Sequence, residues 1–269
     1  MDKIIFKTDP CEVSITPVLC DPRIGVRDAI LVIPGGGYGC ICDDREGFPV
    51  AMAFAARGMN AFVLKYTVGV AAKGHVPLLD ASIAMAYIKD HAEEFHIDPS
   101  RVACVGFSSG GHLSGSLGCL WHQPEIIEKT GIKYGSNRPI VSVMGYPVVS
   151  GVDNSHSGSF KRLAGVDEPT LEQKKQYSLE LHVCEKTRPA FIFHTAADDR
   201  VPVQNSLAYA RSLADNKIPF ELHVYPYGSH GIALANEVTK CNHPDWVVPE
   251  AAGWVDDAVR FIRSIPSLD

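Results

Sequence analysis

Short apolar runs recur along the chain. Each is stopped by glycine, proline or a polar cluster, and each is followed by a stretch with helical spacing. "DAILVIPGGGYG" at 28–39 sets the pattern, and "AFVLKY", "RVACVGF", "PIVSVMGYPVV", "PAFIFHTA" and "FELHVYPY" repeat it. An uninterrupted apolar run of this length reads as a strand buried on both faces. Between the runs, "FPVAMAFAARGMN" has helical spacing with a glycine stop. "PLLDASIAMAYIKDHAEEFHIDPS" is predicted as a long helix with Leu79, Ile83, Ala86 and Ile88 near one face and "IDPS" as its end. Further helical runs lie near 202–215 and 250–264, and two β-like runs near 3–7 and 11–19 precede the series. Strand alternating with helix predicts an α/β fold: a mainly parallel central sheet with helices on both faces. A length of 269 residues fits one such domain, 1–269. Residues 149–185 break the alternation. They are polar and too short for a second domain, and are expected to form a flap over one end of the sheet.

Charge and cysteine usage narrow the function. A formal net charge of −6 argues against a nucleic-acid partner. "MDKIIFKTDPCEVSI" has no apolar region behind a basic start, and no apolar run approaches a membrane span, so a cytoplasmic protein without a membrane partner is expected. The eight cysteines are scattered, and are expected as thiols, with Cys104 a small core residue. Cys40 and Cys42 form a C-x-C without a second pair at zinc spacing, so no metal site is expected. The glycine run at 35–37 has neither G-K-[ST] nor G-x-G-x-x-G, so no phosphate-bearing cofactor is expected.

"RVACVGFSSGGHLSG" carries the chemistry. Gly106-Phe107-Ser108-Ser109-Gly110 fits G-x-S-x-G after a strand and before a helix, the setting that gives this motif meaning. A serine there sits on a sharp turn, its neighbours must lack side chains for the backbones to pass, and the helix N-terminus brings N–H groups beside it. Ser108 takes that position. Ser109 then supplies a backbone N–H for an oxyanion, and Ser114 and Ser116 are ordinary helix residues. The bland alternative is a Gly/Ser-rich helix start without chemistry. A serine nucleophile also needs a base, and the base an orienting carboxylate. Asp198 and Asp199 follow a strand in "FIFHTAADDRVP", and His230 lies in the loop after the next strand, "VYPYGSHGIAL". All three belong at the carboxyl edge that holds Ser108. His112, one turn along the helix, and His194, at a strand end, are expected to be structural. His156 is placed in the flap, within reach of a substrate. The glycines after Pro34 free the backbone N–H groups of their loop to face the cleft.

"PGGGYG", "LKY", "DPSRVACVGFSSGGHLSG", "HTAADDRVP" and "YGSHGIAL", in this order, resemble the α/β-hydrolase superfamily. More narrowly they are similar to the bacterial acetyl-xylan-esterase-like sugar-ester hydrolases, across about residues 28–264. The resemblance implies Ser108 as nucleophile, His230 as base and Asp198, rather than Asp199, as acid. It implies Gly36 and Gly37, with Ser109, as oxyanion donors. Pro34 stands where the lipase-like branch has histidine, which leaves Tyr38 as an alternative donor. No cofactor or metal is implied. The implied activity is hydrolysis of a small-molecule ester, an acetyl ester of a small carbohydrate such as an acetylated xylo-oligosaccharide. A serine peptidase of the prolyl-oligopeptidase type and a non-catalytic binding protein are the alternatives.

Overall fold

The computed structural model describes residues 2–268. Its eight strands are β1 (Ile4–Lys7), β2 (Val13–Val18), β3 (Arg27–Ile33), β4 (Asn60–Lys65), β5 (Ile97–Phe107), β6 (Ser142–Gly145), β7 (Ala190–Thr195) and β8 (Phe220–Tyr225). They form one sheet in the order β1-β2-β4-β3-β5-β6-β7-β8. β2 pairs antiparallel with both its neighbours, and the run from β4 to β8 is parallel.

Helices fill the crossovers: α1 (Asp43–Glu46), α2 (Phe48–Ala55), α3 (Val76–Asp90), α4 (Ser109–Leu120), α5 (Pro124–Thr130), α6 (Ser157–Ala164), α7 (Leu171–Gln176), α8 (Gln204–Asp215) and α9 (Trp254–Ser264). The two-residue period of a strand divides the apolar runs between two cores. Leu31 and Ile33 of β3 face one core with α3, α4 and α8, whereas Ile30 and Val32 face the other with α2 and α9. Trp254 of α9 is fully buried, stacked on Phe193 at 4.5 Å. Truncating a side chain of this size to alanine costs roughly 3–5 kcal/mol.

Four expectations need correction. "IDPS" does not end α3, which stops at Asp90. Its turn is real but lies inside β5: the Asp98 carboxylate accepts from the Ser100 N–H at 2.8 Å, and the pairing with β3 jumps from Arg27↔Ile97 to Ala29↔Val102. The buried seam of α3 is Leu78, Ala81, Met85 and Ile88, while Leu79 and Ile83 are half-buried. β6 is only four residues long, because Tyr146 takes a φ of 35° and Pro147 follows. The segment 149–185 is not a polar flap. It buries Phe160, Leu163, Tyr177 and Leu179 in the core on the α4 side of the sheet. Among the described residues no helix is long and apolar enough to cross a membrane.

Candidate active site

From β3 the chain passes to β4 on one side of it, then crosses to β5 on the other. A parallel sheet opens a crevice at such a reversal, outside the carboxyl ends of the strands. The glycine loop leaves β3 there and Ser108 leaves β5 there. Ser108 has φ 54° and ψ −118°, a region that a residue with a Cβ occupies at a cost of about 1–3 kcal/mol. Three backbone bonds hold it: its N–H donates to Gly145 at 3.0 Å, and its carbonyl accepts from His112 and Val148 at 3.0 Å each. A Cβ on Gly106 would lie 1.9 Å from the Gly110 carbonyl oxygen, and one on Gly110 would lie 2.1 Å from that of Ile33. Both glycines of the pentapeptide are thus required by close approach.

Ser108, His230 and Asp198 form one hydrogen-bonded line. The Ser108 hydroxyl lies 2.9 Å from His230 Nε2, and His230 Nδ1 lies 2.8 Å from Asp198 Oδ2. The Asp198 side chain has no exposed surface, whereas that of His230 keeps 13%. Burial alone would raise the Asp198 pKa. Hydrogen bonds from His194 and His230 and from the Val201 N–H outweigh it and hold the carboxyl well below the usual range. An ionised Asp198 fixes the imidazole with its proton on Nδ1, leaving Nε2 to accept from Ser108. Asp199 does something else: it accepts from the backbone N–H of His230 at 3.2 Å.

His194 is structural, as expected, but it acts directly on the acid. Its Nε2 faces two acceptors, Asp198 Oδ2 at 3.2 Å and the Val201 carbonyl at 2.9 Å, so Nε2 carries the proton and Nδ1 accepts from the Ser206 hydroxyl at 2.7 Å. His112 ties three segments together. Its Nε2 donates to the Tyr177 carbonyl at 2.7 Å and its Nδ1 accepts from the Tyr38 hydroxyl at 2.7 Å. Burial pushes its pKa down to about 4, so the ring is neutral.

In the glycine loop, the Tyr38 N–H donates to the Ser109 hydroxyl and is occupied. The N–H groups of Gly36 and Gly37 have no acceptor among the described residues, and both glycines line the cleft with Ser108. The loop is clamped by groups that no motif announces. Buried Glu46 accepts from the Gly35 N–H at 2.7 Å and from the Tyr146 hydroxyl at 2.8 Å. Burial raises its pKa, against the pull of Arg45 and of these two hydrogen bonds. The Tyr146 ring packs edge-on against His230 at 5.1 Å. From α6, Arg162 donates to the Gly37 carbonyl at 3.1 Å, and His156 reaches the cleft beside it.

The cleft at Ser108 measures ≈ 290 Å³ and is lined by glycines, Cys40, Cys42, Glu46, arginines and histidines, with no aliphatic or phenylalanine side chain. No three His, Cys, Asp or Glu side chains converge as a metal ion would need, among the described residues.

Glu46, Tyr146 and Arg162 were missed by sequence reasoning. Tyr146 alone had a usable signal: it follows an apolar run directly, at the sheet edge that carries the site.

The family described as BD-FAE matches residues 23–213, a span that includes Ser108 and Asp198 and stops before His230. Endo-1,4-beta-xylanase B of Butyrivibrio fibrisolvens is 40% identical over 219 residues, 78% of this chain and 33% of that protein. Acetylxylan esterase of Xylanibacter ruminicola is 28% identical over 245 residues, 86% of this chain and 47% of that protein. The chain thus spans between a third and a half of the length of these relatives. Among solved structures, the acetyl ester-xyloside bifunctional hydrolase from Caldicellulosiruptor lactoaceticus superposes with a TM-score of 0.81 at 31% identity, covering 98% of this chain and 96% of that one.

Proposed function

The chain belongs to the BD-FAE family and has the α/β-hydrolase fold; from that premise we propose that it is a carboxylic ester hydrolase that removes short acyl groups, acetyl above all, from carbohydrate alcohols such as acetylated xylo-oligosaccharides. The observation that carries this reading is the line from the Ser108 hydroxyl through His230 to Asp198.

As Ser108 Oγ attacks the ester carbonyl, His230 Nε2 takes its proton, and the resulting imidazolium is held between Asp198 and the oxyanion. The N–H groups of Ser109, Gly36 and Gly37 receive the oxyanion, and their fixed direction spares the reaction a reorganisation of solvent. His230 returns the proton to the leaving alcohol. Water, deprotonated by the same Nε2, then releases the acid from Ser108.

The acyl preference rests on the lining of the cleft. Each methylene of a longer acyl chain contributes roughly 0.8 kcal/mol only where an apolar wall covers it, and aliphatic side chains are absent beside Ser108. The sugar half rests on the names of the relatives, two of which refer to xylan and the third to an acetyl ester-xyloside. We place the enzyme in the cytoplasm, where such substrates arrive as imported oligosaccharides. Its eight cysteines are all free thiols, as a reducing compartment keeps them.

The test compares kcat/KM for acetyl, butyryl and octanoyl esters, acetylated xylo-oligosaccharides and a peptide amide. Acetyl esters are expected to lead. A tenfold advantage for octanoyl, or a peptide cleaved as fast as the esters, overturns the reading.

A further inference from the structure

The walls of the cleft carry more positive charge than ester hydrolysis needs. Three cavities adjoin in sequence. The central one, at Ser108, shares Arg162 with an outer groove of ≈ 600 Å³ that is also lined by Lys73 and Lys161. It also shares Arg45, Arg200 and His230 with a third cavity of ≈ 430 Å³.

The chain as a whole has a net charge of −6, and many of its surface cations pair with carboxylates: Lys3 with Glu12, Arg57 with Asp256 and Arg260 with Glu221. Along the groove four cations stand together without one. Among the described residues, none of Lys73, Lys161, Arg162 and Arg200 has a carboxylate oxygen within 4.0 Å. Arg162 is oriented by two carbonyls, those of Gly37 and Gly158, which position the guanidinium at the cleft without neutralising it. Arg45 is the exception, paired with Asp44 and lying over the Trp246 ring. Of the acids that line these cavities, Glu46 receives the Gly35 N–H and the Tyr146 hydroxyl, Asp199 the His230 N–H and Asp245 the Ser229 hydroxyl, and Asp167 lines the outer groove together with three cations.

Unpaired cations in the cavity of Ser108 and in the groove that adjoins it, in a protein rich in carboxylates, make a surface complementary to an anion spread over several sugar units. Resting on the esterase reading above, we infer that the preferred substrate is an acylated oligosaccharide that carries carboxylate groups, that is, uronic-acid residues, on its alcohol half. Arg162 and Arg200 take the carboxylates nearest the scissile ester, where a guanidinium fork fits both oxygens. Lys161 and Lys73 meet those further along the groove as point charges. A carboxylate in the acyl half, as in a hemisuccinate ester, is the competing source of the same chemistry.

The experiment uses two acetylated xylo-oligosaccharides of equal length, with and without a uronic-acid side residue, and the acetate and hemisuccinate esters of one neutral alcohol. At low salt the acidic oligosaccharide is expected to exceed the neutral one by about tenfold in kcat/KM, with the advantage shrinking at high ionic strength. Arg162→Gln, Arg200→Gln and Lys161→Gln should each lower that ratio. Equal kcat/KM for the two oligosaccharides, a ratio unmoved in all three variants, or a preference confined to the hemisuccinate overturns the inference. If neither oligosaccharide nor either ester is cleaved, the esterase reading fails. Calorimetric binding to the Ser108→Ala protein still decides the charge preference: tighter binding of the acidic oligosaccharide supports it and equal binding sinks it.

Discussion

The backbone N–H of Tyr38 points at the Ser109 hydroxyl, 3.2 Å away, and ties the glycine loop to the first residue of the helix that follows Ser108. The bond occupies the Tyr38 N–H and fixes the loop that carries those of Gly36 and Gly37, the donors proposed for the oxyanion. Its partner is fully buried, so nothing else replaces it.

Ser109→Ala therefore leaves the Tyr38 N–H without an acceptor, at a cost of about 1–3 kcal/mol. A lowered melting temperature is expected, by several degrees for a chain of this size. Because the proposed mechanism uses the backbone N–H of Ser109 rather than its hydroxyl, the variant should keep a measurable kcat and still be labelled on Ser108. Wild-type thermal stability would show that the hydroxyl bond holds nothing.

Ser108→Ala should lose nearly all turnover while the fold survives, since the smaller side chain removes the nucleophile and leaves the elbow backbone intact. A serine-reactive phosphonate should modify the wild-type protein at Ser108 alone. Peptide mapping that finds the adduct on Ser109 or Ser114 rules out this assignment.

The two adjacent aspartates should separate sharply. Asp198→Asn removes the charge that fixes the His230 tautomer, and a loss of up to ~10⁴ in kcat is expected. Asp199→Asn retains an oxygen able to accept the His230 N–H and should cost less than tenfold. Steady-state kinetics on both variants settles the order, and equal losses would falsify it.

His112 should make the protein sensitive to mild acid. Its folded pKa of about 4 lies below the value of about 6.5 for an unfolded chain. The unfolded state therefore binds the proton first as pH falls. Stability is full above pH 6.5 and declines through the window between 6.5 and 4, by up to about 3 kcal/mol from this group. The Asp198 contribution has the same sign but is lost only below about pH 4, where an unfolded aspartate begins to protonate. Urea midpoints at pH 7.5 and pH 5 should thus show wild type and His112→Gln converging as pH falls. A constant gap between them contradicts the prediction.

What the sequence disclosed and what it hid divide along a physical line. The elbow at Ser108 is legible because its requirements are local: a strand before it, a helix after it, and two glycines within touching distance of other backbones. Asp198 and His230 are legible because each follows a strand whose end is marked by polar residues. Glu46 and Arg162 carry no such mark. Glu46 lies in a one-turn helix, and only the fold brings its carboxylate to Gly35 and Tyr146, the latter 100 positions away. The 149–185 segment misleads by composition, since its exposed residues are mostly polar or charged and outnumber the few that matter. Phe160 and Leu163, three apart on α6, already mark a buried face, too short to stand out from the polar residues around it.

The anchoring of α6 has a consequence for how such an enzyme changes over time. The helix that would be exchanged to alter substrate choice is the same one that bonds to Gly37, and a Cβ at Gly37 would sit 3.5 Å from His156 and 3.6 Å from Arg162. On the proposed mechanism, selectivity and rate are therefore not separate modules in this chain. A segment grafted here from a relative inherits the task of supporting the glycine loop, the proposed receiver of the developing charge, and grafts chosen only for their fit to a new sugar should lose turnover until that support is rebuilt.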